Sequence, residues 1–497
     1  MDNTYQAHRA DGRSQFFYGF GSIAVGIKNN LLGTFLLIYY NQVLGLDALT
    51  VSFAFFLALV VDAISDPIIG IWSDRTVSKY GRRHPFLYFS IIPFSLAYYF
   101  LLAGPAPGEI EKSELFWRLV LLLMTLRISM TLFEVPRGAL APELSKDYDQ
   151  RNTLASLSMM FGWFGGAGID FIARYYWLDS FVDFDGYQIL AFWGGVGIFI
   201  GTAVTSIGTH RNIPELHSPP PRTLKFESFV SETKETLSNK SWLVLFASGC
   251  FYSLLVGLES GVGTYYNEYL WQWKPQTIAA WSLITPICVI ALVTFAPFIA
   301  FGRNKKKITV GIFLTTIIVG PMPIAFRLID IYYGTNIIPV NGSDGLWYLL
   351  AIHGASMAAL GALGFVFIGS MVMDITEQVE DRTGRREEGL LGTVSSFVHK
   401  LVGAGGVLIS GLILSFAGFD NPDLAGELYG GEVINRFAII HLIISMTLPF
   451  ISTLLVLMYD IDRGKHNTHI SDLGYVNEPR YASTPNIMKA KKKPEEK

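Results

Sequence analysis

Two aspartates lie four residues apart inside an apolar run, Val60-Val61-Asp62-Ala63-Ile64-Ser65-Asp66-Pro67. On a helix this spacing puts both carboxylates on one face. Two carboxylates so close in a low dielectric resist joint ionisation, so one holds a proton or a cation sits between them. Pro67 has no N–H, which frees the carbonyl of Ala63 between the two aspartates. A third carboxylate, Glu134, follows Thr131 by one turn in another apolar run, and Pro136 frees the carbonyl of Leu132 in the same way. If the two runs are neighbours, Asp62, Asp66, Glu134 and Thr131 make an all-oxygen site for a monovalent cation, with Na+ the candidate metal at the three carboxylates. The competing reading is structural. An aspartate caps a helix end or pairs with Arg127 or Arg137, and Glu134 is neutralised by Arg137 at i+3.

Cations are also placed where they are costly. Lys28 stands in Gly26-Ile27-Lys28-Asn29-Asn30, and Lys400 follows His399 in an apolar run near the other end of the chain. Lys28, Asn29, Arg137 and Lys400 are the candidate substrate contacts. Either lysine alternatively pairs with one of the buried carboxylates, and that pairing is itself a switch if a cation competes for the same group. Glu259 and His353 are weaker candidates, a lone histidine on a span being more often a packing residue. Asp170 and Arg174, at i and i+4, are expected to pair.

The elements that hold these groups follow from composition. Of 497 residues, 51% are hydrophobic and 16% charged, against about 25% charged in an average soluble domain. A spanning helix needs about 20 mostly apolar residues. Twelve runs qualify, at roughly 16–41, 47–72, 85–104, 115–143, 153–177, 188–210, 241–270, 276–302, 307–329, 345–374, 389–418 and 434–459. Of the 38 Lys and Arg residues, 28 fall in one alternate set of connections and six in the other. The positive-inside rule then puts both termini in the cytoplasm. The expected layout is a six-helix half over 1–210, a polar linker over 211–240, a second six-helix half over 241–459, and a tail over 460–497. That is an all-α integral membrane bundle, with a site between the halves as in secondary transporters.

Charged connections form a candidate gate on the cytoplasmic side. Asp74, Arg75, Arg82 and Arg83 lie between the second and third runs, and Glu143 and Arg151 between the fourth and fifth. Arg385 stands at the equivalent place between the tenth and eleventh. Other classes of function fit poorly. The net charge of −3 argues against nucleic-acid binding. Cys250 and Cys288 both lie in apolar runs, and no His-x-x-x-His pair or nucleophile elbow supports a membrane enzyme. The first thirteen residues do not read as a signal peptide.

The stretch Gly70…Asp74-Arg75…Gly81-Arg82-Arg83 resembles the loop signature of the major facilitator superfamily, with a longer spacer. The longer segment from Asp62 to Pro85 is similar to the glycoside–pentoside–hexuronide:cation symporters. Further matches are Tyr18-Gly-Phe-Gly21, Val135-Pro136, Pro142-Glu-Leu144, Asp374, Thr383-Gly-Arg-Arg-Glu-Glu-Gly389 and Lys400. The resemblance covers about residues 15–460. It implies a twelve-span major-facilitator-type bundle with a cation site on Asp62, Asp66 and Glu134, Thr131 beside it, and Asp374 among the gate charges. It also puts Lys400 near the sugar. Two positions depart from the pattern: Gly26 stands where the family's sugar-binding aspartate is expected, and Leu157-Ser-Met-Met160 replaces an arginine. The implied protein is a symporter of the plasma (inner) membrane working by alternating access. It carries a sugar, glycoside or sugar acid, or alternatively a lipid-like or anionic metabolite. A monomer suffices, its partners are the substrate, a monovalent cation and membrane lipid, and no cofactor is expected beyond a coupling Na+ or H+.

Overall fold

The computed structural model describes residues 10–145, 148–213, 240–300, 303–383 and 388–459. The tail and most of the 211–240 linker therefore lie outside the described residues. The first half comprises α1 (Gly12–Val43), α2 (Ala48–Arg75), α3 (His84–Leu102), α4 (Lys112–Leu144), α5 (Tyr148–Ile172) and α6 (Phe184–His210). The second comprises α7 (Trp242–Leu270), α8 (Pro275–Thr294), α9 (Lys305–Tyr333), α10 (Asp344–Thr383), α11 (Glu388–Ala417) and α12 (Glu432–Leu457). Among the described residues, eleven of these are long and apolar enough to cross a membrane, and α5, of 25 residues, is the remaining helix and is not among them. No strand occurs among those residues. Both ends of the described chain and the 76–83 connection share one side of the bundle, called here the terminal face.

Glycines set how closely the helices approach. A Cβ on Gly26 of α1 would lie 2.0 Å from the carbonyl oxygen of Gly162 on α5, and one on Gly165 would meet the backbone of Ile23 at 2.5 Å. The second half repeats the device: a Cβ on Gly257 of α7 would lie 2.0 Å from the Gly403 carbonyl of α11. Backbone-to-backbone packing of this kind is how small residues join spanning helices. It also accounts for the departure at position 26, where backbone contact with α5 leaves no room for an aspartate side chain.

The first helix of each half is irregular, and the irregular stretches meet. In α1 the ladder widens into π-turns at Leu31–Phe35 and Tyr39–Val43. In α7 it breaks at Gly261, whose φ of 80° is the left-handed value that favours glycine. The Gly261 N–H donates to the Gly33 carbonyl at 2.8 Å, and the Thr264 hydroxyl donates to the Thr34 carbonyl at 2.7 Å. Backbone groups released from one helix are thus satisfied by the other, as the hydrocarbon interior demands.

The halves are tied together on the side away from the terminal face. The Asp420 carboxylate accepts from the Asn41 amide at 2.8 Å and from the Ala48 N–H at 2.9 Å. A residue of the second half thereby caps the first turn of α2. Glu268 accepts from the Phe181 N–H at 3.2 Å and from the Tyr429 hydroxyl at 2.8 Å. Tyr269 donates to Gln42 at 2.9 Å. The bundle is closed on that side.

Candidate coupling site and substrate cavity

Asp62 and Asp66 share one face of α2, as their spacing requires, and that face meets α4 and α11. Asp62 is only 1% exposed. The Thr131 hydroxyl on α4 sits between the pair, 3.2 Å from Oδ1 of Asp62 and 3.1 Å from Oδ1 of Asp66. Ser65 donates to Thr131 at 3.3 Å. From the other half, Lys400 Nζ is 3.5 Å from Asp62 Oδ2 and in direct contact with Asp66 Oδ2. Arg127 Nη1, one turn before Thr131 on α4, is 3.6 Å from Asp62 Oδ2.

Lys28, Asn29, Asp62, Asp66, Arg127, Met130, Glu134, Val135 and Lys400 enclose a cavity of about 390 Å³. Buried Lys28 has its ammonium 2.6 Å from the Met130 sulfur. Glu134 lines the cavity without the ion pair to Arg137 that the i, i+3 spacing allowed. The Arg137 guanidinium instead donates to the Tyr18 carbonyl at 2.9 Å and lies over the Tyr18 and Phe133 rings. Among the described residues no group of three carboxylates, histidines or cysteines is arranged to hold a metal ion. In this conformation Lys400 and Arg127 hold Oδ2 of the aspartate pair, and Thr131, itself one of the expected ligands, stands between their Oδ1 atoms.

A second cavity, of about 730 Å³, lies between α1, α4 and α5 of the first half and α7 and α8 of the second. Asn29 and Glu134 belong to both walls, so the two cavities share a partition. Arg137 lines the larger cavity, whereas Lys28 and Lys400 line the smaller, so the four expected substrate contacts divide between them. The larger cavity brings in groups that sequence reasoning left aside. Asp170 and Arg174 pair at 3.0 Å, and Ser282 of the second half donates to the same Asp170 oxygen. Trp163, Trp281, Asn267 and Ser158 complete much of the wall. The polar i, i+4 pair inside a span was a usable signal for Asp170 and Arg174; the tryptophans carried none beyond their type.

The expected gate is partly assembled, within the first half. Arg83 contacts Asp74 directly, donates to the Ser73 hydroxyl at 2.6 Å and lies 3.2 Å from Glu143; Arg82 reaches Glu143 at 2.7 Å. Arg75 is exposed and stands apart from this network, and Arg151 donates to the Ser145 carbonyl at 3.0 Å. Arg385 and the side chain of Asp374 lie outside the described residues. Of the weaker candidates, Glu259 is 3.2 Å from His441, and the His353 ring is bonded to the Val319 carbonyl at 3.0 Å, as a packing residue would be.

A twelve-helix bundle in two halves, with ionisable groups buried at their junction, defines a multi-pass membrane transporter of the major facilitator type. The chain belongs to the MFS/sugar transport protein family, whose model matches residues 17–463. It is 24% identical over 463 residues to the uncharacterized symporter YnaJ of Bacillus subtilis (strain 168), covering 92% of this chain and 93% of that one. It is also 24% identical over 456 residues to the isoprimeverose transporter of Lactiplantibacillus pentosus, covering 90% and 88%. The crystal structure of a D-xylose-proton symporter superposes with a TM-score of 0.63 at 12% identity, over 90% of this chain and 98% of that one, which shows the shared fold. Family membership makes the chain a transporter and not an enzyme.

Proposed function

We propose that this protein is a symporter that couples a monovalent cation to uptake of a neutral glycoside. The observation that carries the coupling is the shared partition: Asn29 and Glu134 face the aspartate cluster on one side and the larger cavity on the other. A cation that enters the cluster in place of Lys400 and a substrate that fills the cavity meet at the same two residues. Lys400 links the halves through Asp62 and Asp66, so a cation that displaces it releases one inter-half tie. Exposing bare buried carboxylates is costly, which favours movement of the loaded protein over movement of the half-loaded one. The cytoplasm lies at the terminal face in this reading, and the closed far side corresponds to an inward-facing state.

The charges around the larger cavity favour a neutral substrate. Arg174 is paired with Asp170, and Arg137 is turned to the Tyr18 carbonyl and the Tyr18 and Phe133 rings, so neither guanidinium is held ready for the carboxylate of a sugar acid or anionic metabolite. Five lining residues hold buried polar atoms without a partner among the described residues: Ser22 Oγ, Arg137 Nε, Ser158 Oγ, Asp170 Oδ1 and Trp281 Nε1. Both donors and acceptors are represented, and each unmet group costs about 1–3 kcal/mol. A ligand rich in hydroxyls supplies both kinds of partner, and the faces of Trp163 and Trp281 suit the apolar faces of sugar rings. The volume falls within the usual range for ligand pockets, about 300–1,000 Å³.

Thermal unfolding of the purified protein with panels of neutral glycosides, hexuronates and lysolipids tests the substrate class. Neutral glycosides are expected to raise the melting temperature, and imposed ion gradients to drive their uptake into proteoliposomes. Stabilisation by hexuronates or lysolipids alone would overturn the assignment.

A further inference from the structure

The aspartate pair is already supplied with counter-ions. Oδ1 of both Asp62 and Asp66 faces the Thr131 hydroxyl, Oδ2 of Asp66 is held by Lys400, and Oδ2 of Asp62 is shared between Lys400 and Arg127. Both Oδ2 atoms thus have a cationic partner, and the single Thr131 hydroxyl proton serves one Oδ1 at a time. Around the 390 Å³ cavity the formal charges cancel, with Lys28, Arg127 and Lys400 opposed to Asp62, Asp66 and Glu134. An added alkali cation would leave a surplus positive charge in a buried place, where an unpaired charge is costly. The lysines are flexible ammonium groups, whereas a guanidinium is planar and always charged. Arg127 lies one helical turn from Thr131, and its side chain is 11% exposed.

We propose that Arg127 is a resident counter-ion that excludes Na+ and other alkali cations from the aspartate pair. The inference rests on the symporter reading, since it concerns the ion of that same site. Its physical basis is a matter of one charge. With Arg127 present the cluster is neutral; without it the cluster carries one net negative charge, which is the charge a single alkali cation would balance. Arg127 therefore acts as a specificity-determining residue, and alkali cations are not the coupling ion of the natural chain.

The test is thermal unfolding of the purified full-length protein as choline chloride is replaced by NaCl at constant ionic strength, with no substrate required. The wild type is expected to show no saturable shift. Arg127→Gln is expected to gain a saturable rise of about 1.4 °C at ten times the half-saturating Na+ concentration. That rise should vanish in the Arg127→Gln, Asp66→Asn double variant, and Arg127→Lys should stay flat. A saturable Na+ shift in the wild type overturns the proposal even if no variant folds, and so does a flat trace for folded Arg127→Gln or Arg127→Met. Gradient-driven uptake separates the two readings. Loss of all ion coupling in the wild type would sink the symporter, whereas Na+-driven uptake would sink only the exclusion by Arg127.

Discussion

Removing Lys400 should unbalance the cluster, and removing Asp66 with it should restore the balance. In Lys400→Met three carboxylates face two cations; in Asp66→Asn two carboxylates face three cations; in the double variant two face two. At the 3.5 Å between Lys400 Nζ and Asp62 Oδ2, the gross attraction is about 5 kcal/mol at an effective dielectric of about 20. The net value is smaller, because the Lys400 side chain is 37% exposed and that of Asp66 26%, and solvent screens partly exposed pairs. A net loss of about 1–3 kcal/mol for Lys400→Met is reasonable, below the 3–5 kcal/mol for a fully buried pair. For a chain of this size that corresponds to a fall in melting temperature of about 1–3 °C. The assay is a double-mutant cycle on the detergent-purified protein, read as apparent melting temperature at low and high salt. The double variant should recover at least half of the loss seen in Lys400→Met. If the losses of the two single variants simply add, Lys400 and Asp66 are not coupled, and the inter-half tie drawn from the geometry is wrong.

Thr131→Val should cost more than Thr131→Ser, because only valine leaves Oδ1 of both aspartates without the hydroxyl; a loss of about 1–3 kcal/mol is expected, and equal melting temperatures for the two variants would contradict it. Gly26→Ala should force α1 from α5 and lower stability by about 1–3 kcal/mol, with expression and melting of Gly33→Ala, where a Cβ meets nothing within 4 Å, as the matched control. Asp420→Ala removes the cap that one half places on α2 of the other, so it should increase labelling of a cysteine placed at Asn41 from the far side; unchanged labelling would show that Asp420 is not part of that closure. Glu143→Gln should loosen the Arg82–Arg83 network and speed proteolysis of the 76–83 connection, and an unchanged cleavage rate would remove Glu143 from the gate.

What the sequence made legible was what one-dimensional spacing can carry. Apolar runs of spanning length specify helices because the bilayer leaves the backbone no other partner, so eleven of the twelve expected runs recur among the described residues as helices long and apolar enough to cross a membrane. The i, i+4 relation of Asp62 and Asp66 is a property of one helix, and so is the common face of Arg127, Thr131 and Glu134. The pairings across helices were legible only as open alternatives, Arg127 or Arg137 for an aspartate and either lysine for a carboxylate. Spacing offered Arg137 to Glu134, yet α4 packs so that Arg137 turns to the Tyr18 carbonyl while Arg127 reaches Asp62. Lys400 could be offered to the buried carboxylates from its place inside a span; which carboxylate oxygens it occupies depends on how α11 of the second half crosses α2 of the first. The same limit hid the larger cavity, whose walls come from five helices in both halves. The altered position 26 shows how fold and site constrain each other: once α1 and α5 touch through Gly26 and Gly162, no side chain at that point can reach a substrate. Further along the same interface the larger cavity is lined by Asn29, beside the aspartate cluster, and by the Asp170–Arg174 pair held by Ser282 of the opposite half. A residue such as Ser282, bonded across the half interface, is where substrate and conformation can be sensed together.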